Sequence, residues 1–432
     1  MLSRRKFLGT AGGIAGAAAV GGGAWAALLR DSVEQSGQPS PTSTPPTTTT
    51  AGEMPTTSAA ATTTTVPQAD RVLVVVQMAG GNDGLNTLIP AEGAYRDARP
   101  IIAIPEEDRI VLSNTDFSLH PALAPLSRWW NLGSMTAVEG VGIPQQSRSH
   151  FKSMDTWSSG VPGATSRTGW LGRWMDATQA GDADPLRAIS LVGGSPMLVG
   201  EKSLATVIQS AEAFQLRAPE GVDREGLIAA FLATASPLAA DPTFASAQQS
   251  IPSTVDAVEL LSGVIDAADS DGNQSAAVGA FDVAARIIDL GIGTQVITIG
   301  LNGFDTHSDQ LARQAVLLDD LASGIAGFME RIESDGHSDR VTLMTMSEFG
   351  RRVGENGSGG TDHGQGGLQM LFGPTVNGWQ IHGELDMANL ANGDLPTTVD
   401  ERSIYAEVLD WLGGPTDEIL GESFERIGVL AA

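Results

Sequence analysis

The segment Arg71 to Met78, RVLVVVQM, is a short β-branched apolar run that ends in Ala79-Gly80-Gly81-Asn82-Asp83-Gly84. Such a run suits a strand buried on both faces, and the glycines mark a sharp turn at its carboxyl end. Comparable runs recur at Met135 to Val141 (MTAVEGV), Gln295 to Leu301 (QVITIGL) and Arg340 to Met346 (RVTLMTM). Between them lie helical patterns, notably Leu311 to Ile332, whose apolar residues return at three- and four-residue steps. The alternation predicts an α/β fold with a mostly parallel sheet flanked by helices. The stretch at about 180–290 differs: it has short extended runs (Ala188 to Val192, Ala205 to Gln209) and then Ala-rich helical segments, and is expected to be a mainly helical insertion. Asp269, Asp271 and Asn273 have calcium-loop spacing, but the glycine comes two positions too early, so a helix-to-helix loop is expected there.

Residues 1–69 are not domain-like. Ser3-Arg4-Arg5-Lys6-Phe7-Leu8 is followed by an uncharged Gly/Ala-rich run to Leu29, the basic-then-apolar order of an export signal, and the adjacent arginines before Phe-Leu resemble a twin-arginine signal. The run is weakly hydrophobic for a membrane helix, and Ala24-Trp25-Ala26 has the small-x-small cleavage pattern, so 1–30 is read as a cleaved signal rather than a retained anchor. PSPTSTPPTTTT and TTSAAATTTT within 31–69 have too little apolar surface to offset chain entropy and predict a disordered Thr/Pro-rich linker. One α/β domain is then expected over 70–432.

The net charge of −26 argues against a nucleic-acid-binding role, because phosphate backbones would be repelled. A bound divalent cation would reverse the sign of a pocket locally, so an anionic substrate is compatible with that charge. The chain has no cysteine, which excludes disulfides and thiolate ligands. Any metal must be held by oxygen and imidazole.

Ligands of parallel sheets bind outside the carboxyl ends of the strands. Polar clusters collect at those ends: Asn82-Asp83, Ser147-Arg148-Ser149-His150, Asp305-Thr306-His307 and Ser347-Glu348, with Asp362-His363 before a further apolar run, Leu368 to Phe372. Asp305 and His307 share a face if Thr306 is extended, and so can share a metal. Asp362 and His363 diverge in a regular strand, which suits a glycine-flanked turn. A mixed imidazole and carboxylate set favours zinc or manganese over calcium or magnesium. Of the six histidines, His150, His307 and His363 lie in such loops, His382 follows a short alternating segment, His120 before Pro121 reads as a helix start, and His337 lies in a solvated turn. Ser149 suits either the nucleophile of a metal-assisted transfer, with Arg148 or Arg351 on the substrate's oxyanions, or a helix N-cap. Glu348 suits a ligand or a carboxylate that fixes an imidazole.

GGNDGLNTLIP, SRSHF with MDTWSSG, GFDTHSDQ, and SEFGRR with ENGSGGTDHG, behind SRRKFL, resemble the twin-arginine-exported family catalogued as domain of unknown function 1501, over about 70–385. The motif order is similar to that of the alkaline phosphatase and sulfatase superfamily of metal-dependent ester hydrolases. That resemblance implies Asp83 as a first-strand metal aspartate, Ser149 as nucleophile, Asp305 and His307 as ligands of one metal, Asp362 and His363 of the other, and His382 as the last histidine. The chain departs from the pattern in spacing Asp305 and His307 by two positions rather than four, in having Asn82 before Asp83, and in lacking the motif for a formylglycine.

The expectation is an exported hydrolase of phosphate or related esters (sulfate, phosphodiester), with a metal-activated serine and one or two divalent ions. It would cross by the twin-arginine translocase and meet a small-molecule or cell-envelope ester in the periplasm or at the cell surface. The alternative is a non-catalytic, metal-stabilised surface protein that binds a polysaccharide or a protein partner.

Overall fold

A computed structural model describes residues 66–431 except positions 92, 145, 164–165, 182, 192, 210–217, 219–220, 237, 239, 241–247, 249–250 and 270–274. The expected signal, most of the expected linker and the Asp271 to Asn273 loop lie outside the described residues. The chain divides into two units after Val66, and the second, Pro67–Ala432, carries the fold described here.

Its centre is a nine-stranded sheet built from β1 (Val72–Ala79), β2 (Met135–Gly142), β3 (Ala188–Leu191), β4 (Thr206–Ile208), β5 (Val296–Asn302), β6 (Val341–Met346), β7 (Gly367–Phe372), β8 (Ile381–His382) and β9 (Val399–Asp400). The order is β8-β2-β7-β6-β1-β5-β3-β4, with β9 also on β2. β1 lies between β5 and β6, parallel to both, pairing Val75 with Thr298 and with Met344. Its alternate side chains enter two cores: Val72, Val74, Val76 and Met78 on one face, Leu73 and Val75 on the other. That double burial is why the run is uniformly apolar.

The main helices are α1 (His150–Ser159), α2 (Trp170–Thr178), α3 (Ile251–Asp269), α4 (Ala276–Asp289), α5 (Gln310–Ser334) and α6 (Glu401–Leu412). α3, α4 and α5 supply Leu261, Phe281 and Phe328 to the first core; α1, α2 and α6 supply Trp157, Trp174 and Tyr405 to the second. The α/β class and the mostly parallel sheet follow directly from these pairings. Within the stretch at about 180–290 β3 pairs with β5 and β4 with β3, so its two extended runs are strands of the main sheet.

β7 is the exception to the parallel rule: it runs antiparallel to both β2 and β6. Gly367, at its start, pairs with Val141 near the end of β2. The loop that precedes β7 is thereby brought to the edge where the parallel strands end.

Candidate metal centre

Four chain segments meet at this edge. Asp305 and His307 follow β5, Glu348 follows β6, Asp362 and His363 precede β7, and His150 opens α1 after β2. The turn after β1 makes the approach possible. Gly80 has φ +123, and a Cβ there would lie 2.3 Å from the Asp305 backbone nitrogen, so only glycine lets the two loops pack. Gly360 has the same role behind His307, where a Cβ would sit 2.3 Å from its carbonyl carbon.

Arg351 ties these loops together. Its side chain is fully buried, Nε donates to the Gly81 carbonyl at 2.6 Å, Nη1 to that of Thr361 at 2.8 Å, and Nη2 to those of Gly80 and Phe304 and to Asp305 Oδ1. With its donors spent on the protein, it is a scaffold residue; the expected oxyanion contact from Arg351 is not available in this arrangement. Burial would raise the Asp305 carboxyl, but the hydrogen bond from Arg351 and the Arg351 charge outweigh it and hold the group below the usual carboxylate range.

The three imidazoles are oriented alike. His150 Nδ1 meets Glu348 Oε1 at 2.8 Å, His307 Nδ1 meets Asp362 Oδ1 at 3.3 Å, and His363 Nδ1 meets the Arg148 carbonyl oxygen at 2.8 Å. A carbonyl only accepts, so His363 carries its hydrogen on Nδ1 and turns the Nε2 lone pair inward. Inside, His363 Nε2 lies 3.1 Å from Asp305 Oδ1, His307 Nε2 lies 3.0 Å from the same oxygen, and the two Nε2 atoms are 3.0 Å apart. His150 Nε2 stands 3.6 Å from Asp305 Oδ2.

Acceptors thus face acceptors across a gap that a cation would resolve. Zinc–nitrogen and zinc–oxygen bonds near 2.0–2.1 Å on a tetrahedron place neighbouring donor atoms roughly 3.3 Å apart. The triangle formed by Asp305, His307 and His363 has edges of 3.0, 3.0 and 3.1 Å. A second set, His150, Asp305 and His363, has donor atoms within 4.8 Å of one another. Both sets share Asp305 and His363, and the donor chemistry fits a divalent ion.

The supporting groups are mostly ones the sequence reading passed over. Asn356 donates to Asp362 Oδ1 and to the His307 carbonyl. Hydrogen bonds from Asn356, and then from His307, hold the Asp362 carboxyl below its usual range. Glu348 Oε1 also takes the Gly80 N–H at 2.8 Å, and its backbone oxygen is clasped by Gln146 and by Ser153 of α1. Asp394, fully buried, pairs with Arg148 and lies 3.8 Å from Arg352 Nε. An Asn or Asp in a polar loop carries no sequence signal for such roles.

Ser149 is the N-cap of α1 by position, yet its side chain makes no capping hydrogen bond and is exposed. Its neighbours on both sides touch the centre, Arg148 through its carbonyl and His150 through its ring. Two expected metal residues lie elsewhere. Asp83 is bound to Arg99 at 2.6 Å and to Gln310, both buried. His382 pairs in β8 with Val138, four residues before the end of β2, and its ring faces Glu407 and the Ile427 backbone; burial lowers its pKa despite both. Neither joins the donors around Asp305, because β8 stops short of the site edge and Arg99 takes up Asp83. His120 caps the helical turn at Pro121, its Nδ1 accepting from the Ala122 N–H, and burial pushes its pKa down to about 4.

A family model described as protein of unknown function (DUF1501) matches residues 120–424. The chain belongs to that family. No curated protein matches the sequence. Among solved structures, a protein in the alkaline phosphatase superfamily from Vibrio parahaemolyticus is 8% identical, with 82% of this chain and 69% of that one covered at TM-score 0.39. The lipoteichoic acid synthase LtaP from Listeria monocytogenes is 8% identical, with 84% and 76% covered at TM-score 0.36. The C-terminal periplasmic domain of EcEptC from Escherichia coli, in complex with Zn, is 8% identical, with 79% and 82% covered at TM-score 0.34. At these identities and scores the likenesses carry no argument about chemistry, which rests on the site itself. Among the described residues no helix is long and apolar enough to cross a membrane.

Proposed function

We propose that this DUF1501 protein is an exported, metal-dependent hydrolase of phosphate or related esters (sulfate, phosphodiester), with Ser149 as nucleophile. The reading is carried by one observation: three imidazole Nε2 atoms converge on the Asp305 carboxylate, and Ser149, with an exposed side chain that its own helix does not use, stands in the chain between two residues that touch this cluster. Asp305, His307 and His363 would hold the ion, with Asp362 fixing His307, and the mixed donor set favours zinc or manganese. A divalent ion there would supply positive charge toward the serine oxygen and the ester oxygens.

His150, held through Nδ1 by Glu348, takes the Ser149 proton at Nε2. Ser149 Oγ attacks the phosphorus or sulfur, the bond to the substrate alcohol breaks, and the departing oxygen takes a proton. Water then cleaves the serine ester and restores the hydroxyl. Arg148 and Arg352 present partly exposed guanidiniums at the rim, anchored from behind by Asp394, in reach of oxyanions. Export is supported by the SRRKFL start and the Gly/Ala run that follows it.

The test is a panel of aryl phosphate, phosphodiester and aryl sulfate substrates with zinc- or manganese-loaded protein, and Ser149→Ala as control. Turnover of at least one class that is lost in Ser149→Ala supports the proposal. Turnover that survives the substitution removes the nucleophile, and bound metal with no turnover of any class favours the non-catalytic surface protein.

A further inference from the structure

Asp83 follows the central strand and belongs by position to the site edge, but its carboxylate is already matched with a cation of the protein's own. Arg99 Nη1 lies 2.6 Å from Asp83 Oδ2, with side-chain exposures of 0% and 1%. The rest of the fork is used as well: Nη1 also reaches Asn86 Oδ1 at 2.6 Å, Nε donates to the Val353 carbonyl at 2.8 Å and Nη2 to that of Arg352 at 3.0 Å. Gln310 donates to the same Asp83 oxygen, and Gln314 to the Asp83 carbonyl at 3.1 Å. A guanidinium cannot shed its proton inside a protein, so the charge beside Asp83 is permanent.

We infer that the centre binds one divalent ion, not two, because Arg99 occupies the cationic position beside Asp83 that a second ion would need. The inference rests on the metal centre proposed above and limits it. A dication placed against Asp83 would face a buried guanidinium fixed by four acceptors, and like charges at contact in a poorly hydrated interior repel strongly. Asp83 Oδ1 has no hydrogen-bond partner, but the acid nearest in effect is Glu139, itself buried and pushed up to about 8 by burial and then by the Asp83 charge. Among the described residues Asp83 joins no set of three donors within metal-binding reach, whereas Asp305, His307 and His363 form one triangle with edges of 3.0 to 3.1 Å. The acids and imidazoles among the described residues therefore define a single ion, and Arg148 and Arg352 add positive charge at its rim.

The test is stoichiometry. Chelator-stripped full-length protein is reloaded with zinc, desalted, and measured by elemental analysis and by calorimetric titration with zinc alone. One equivalent and a single-site isotherm are expected. The paired substitution Asp83→Asn with Arg99→Gln, which removes both buried charges together, should leave that equivalent and its affinity unchanged. Asp305→Asn should weaken zinc by more than the roughly 10–100-fold that loss of a supporting hydrogen bond costs. Two equivalents in the unaltered chain, or a lost equivalent in the paired variant, would overturn the single-ion inference and leave the proposed function standing. No bound ion would overturn both.

Discussion

The imidazole Nδ1 of His150 and the carboxylate Oε1 of Glu348 stand 2.8 Å apart, and that same oxygen takes the Gly80 N–H at 2.8 Å. One buried carboxylate thus fixes both a ring at the start of α1 and the turn after β1. It also determines which face of His150 looks toward Asp305.

Glu348→Gln keeps the shape of the side chain but removes its charge and half its acceptors. Supporting partners of this kind are worth roughly 10–100-fold in activity or metal affinity. The expected result is a fall of that size in kcat/KM with the zinc equivalent retained. Glu348→Ala should in addition cost about 1–3 kcal/mol in denaturant unfolding, because the Gly80 N–H loses its buried acceptor. A Gln variant with unaltered kinetics would remove Glu348 from the site.

Arg99→Ala leaves the Asp83 carboxylate buried without its cation. Breaking a buried pair from one side costs about 3–5 kcal/mol, which should appear as a lower urea midpoint at unchanged slope. The double change with Asp83→Asn should recover part of that loss. If the double variant is no better than the sum of the singles, the pair is not coupled as its 2.6 Å contact requires.

Much of this architecture was readable from residue order. The apolar runs at 72–79, 296–302 and 341–346 are parallel neighbours, and burial on both faces demands just such uninterrupted β-branched stretches. The clustering of Asp305, His307, Asp362, His363 and His150 followed from the rule that ligands meet at the carboxyl ends of strands. What the pattern concealed was direction: Leu368 to Phe372 reads as one more apolar run, and nothing in it says that β7 is antiparallel and so delivers Asp362-His363 by its amino end. Pairing across long separations was equally invisible. Arg99 lies in a charged, unpatterned stretch, and only the folded chain shows that its guanidinium closes on Asp83. His382 had the right residue type at a strand, but β8 has just two residues and ends well below the site.

Ser149→Ala separates a capping role from a chemical one. A serine that caps a helix contributes about 1 kcal/mol, whereas an exposed side chain without such a bond changes stability by less than about 0.5 kcal/mol. Since Ser149 makes no capping hydrogen bond, the variant should match the unaltered chain in thermal melting while losing turnover. A clear drop in melting temperature would assign the hydroxyl to the helix.

Glu139 sets a pH dependence that does not involve the proposed ligands. It sits on β2, 2% exposed, with Oε1 unpartnered, and burial followed by the Asp83 charge raises its pKa from 4.5 to about 8. Between those values the folded chain keeps a proton that the unfolded chain has released. The folded state then binds more protons, so stability falls as pH rises across this window and levels off above it. Each pH unit in the window is worth at most about 1.4 kcal/mol, or up to about 4 kcal/mol between pH 5 and pH 8. Glu139→Gln, neutral at every pH, should therefore melt like the unaltered chain at pH 5 and clearly higher at pH 8. Urea titrations at both pH values check this directly: a variant whose advantage is the same at pH 5 and pH 8 would mean that Glu139 keeps an ordinary carboxylate pKa in the folded chain.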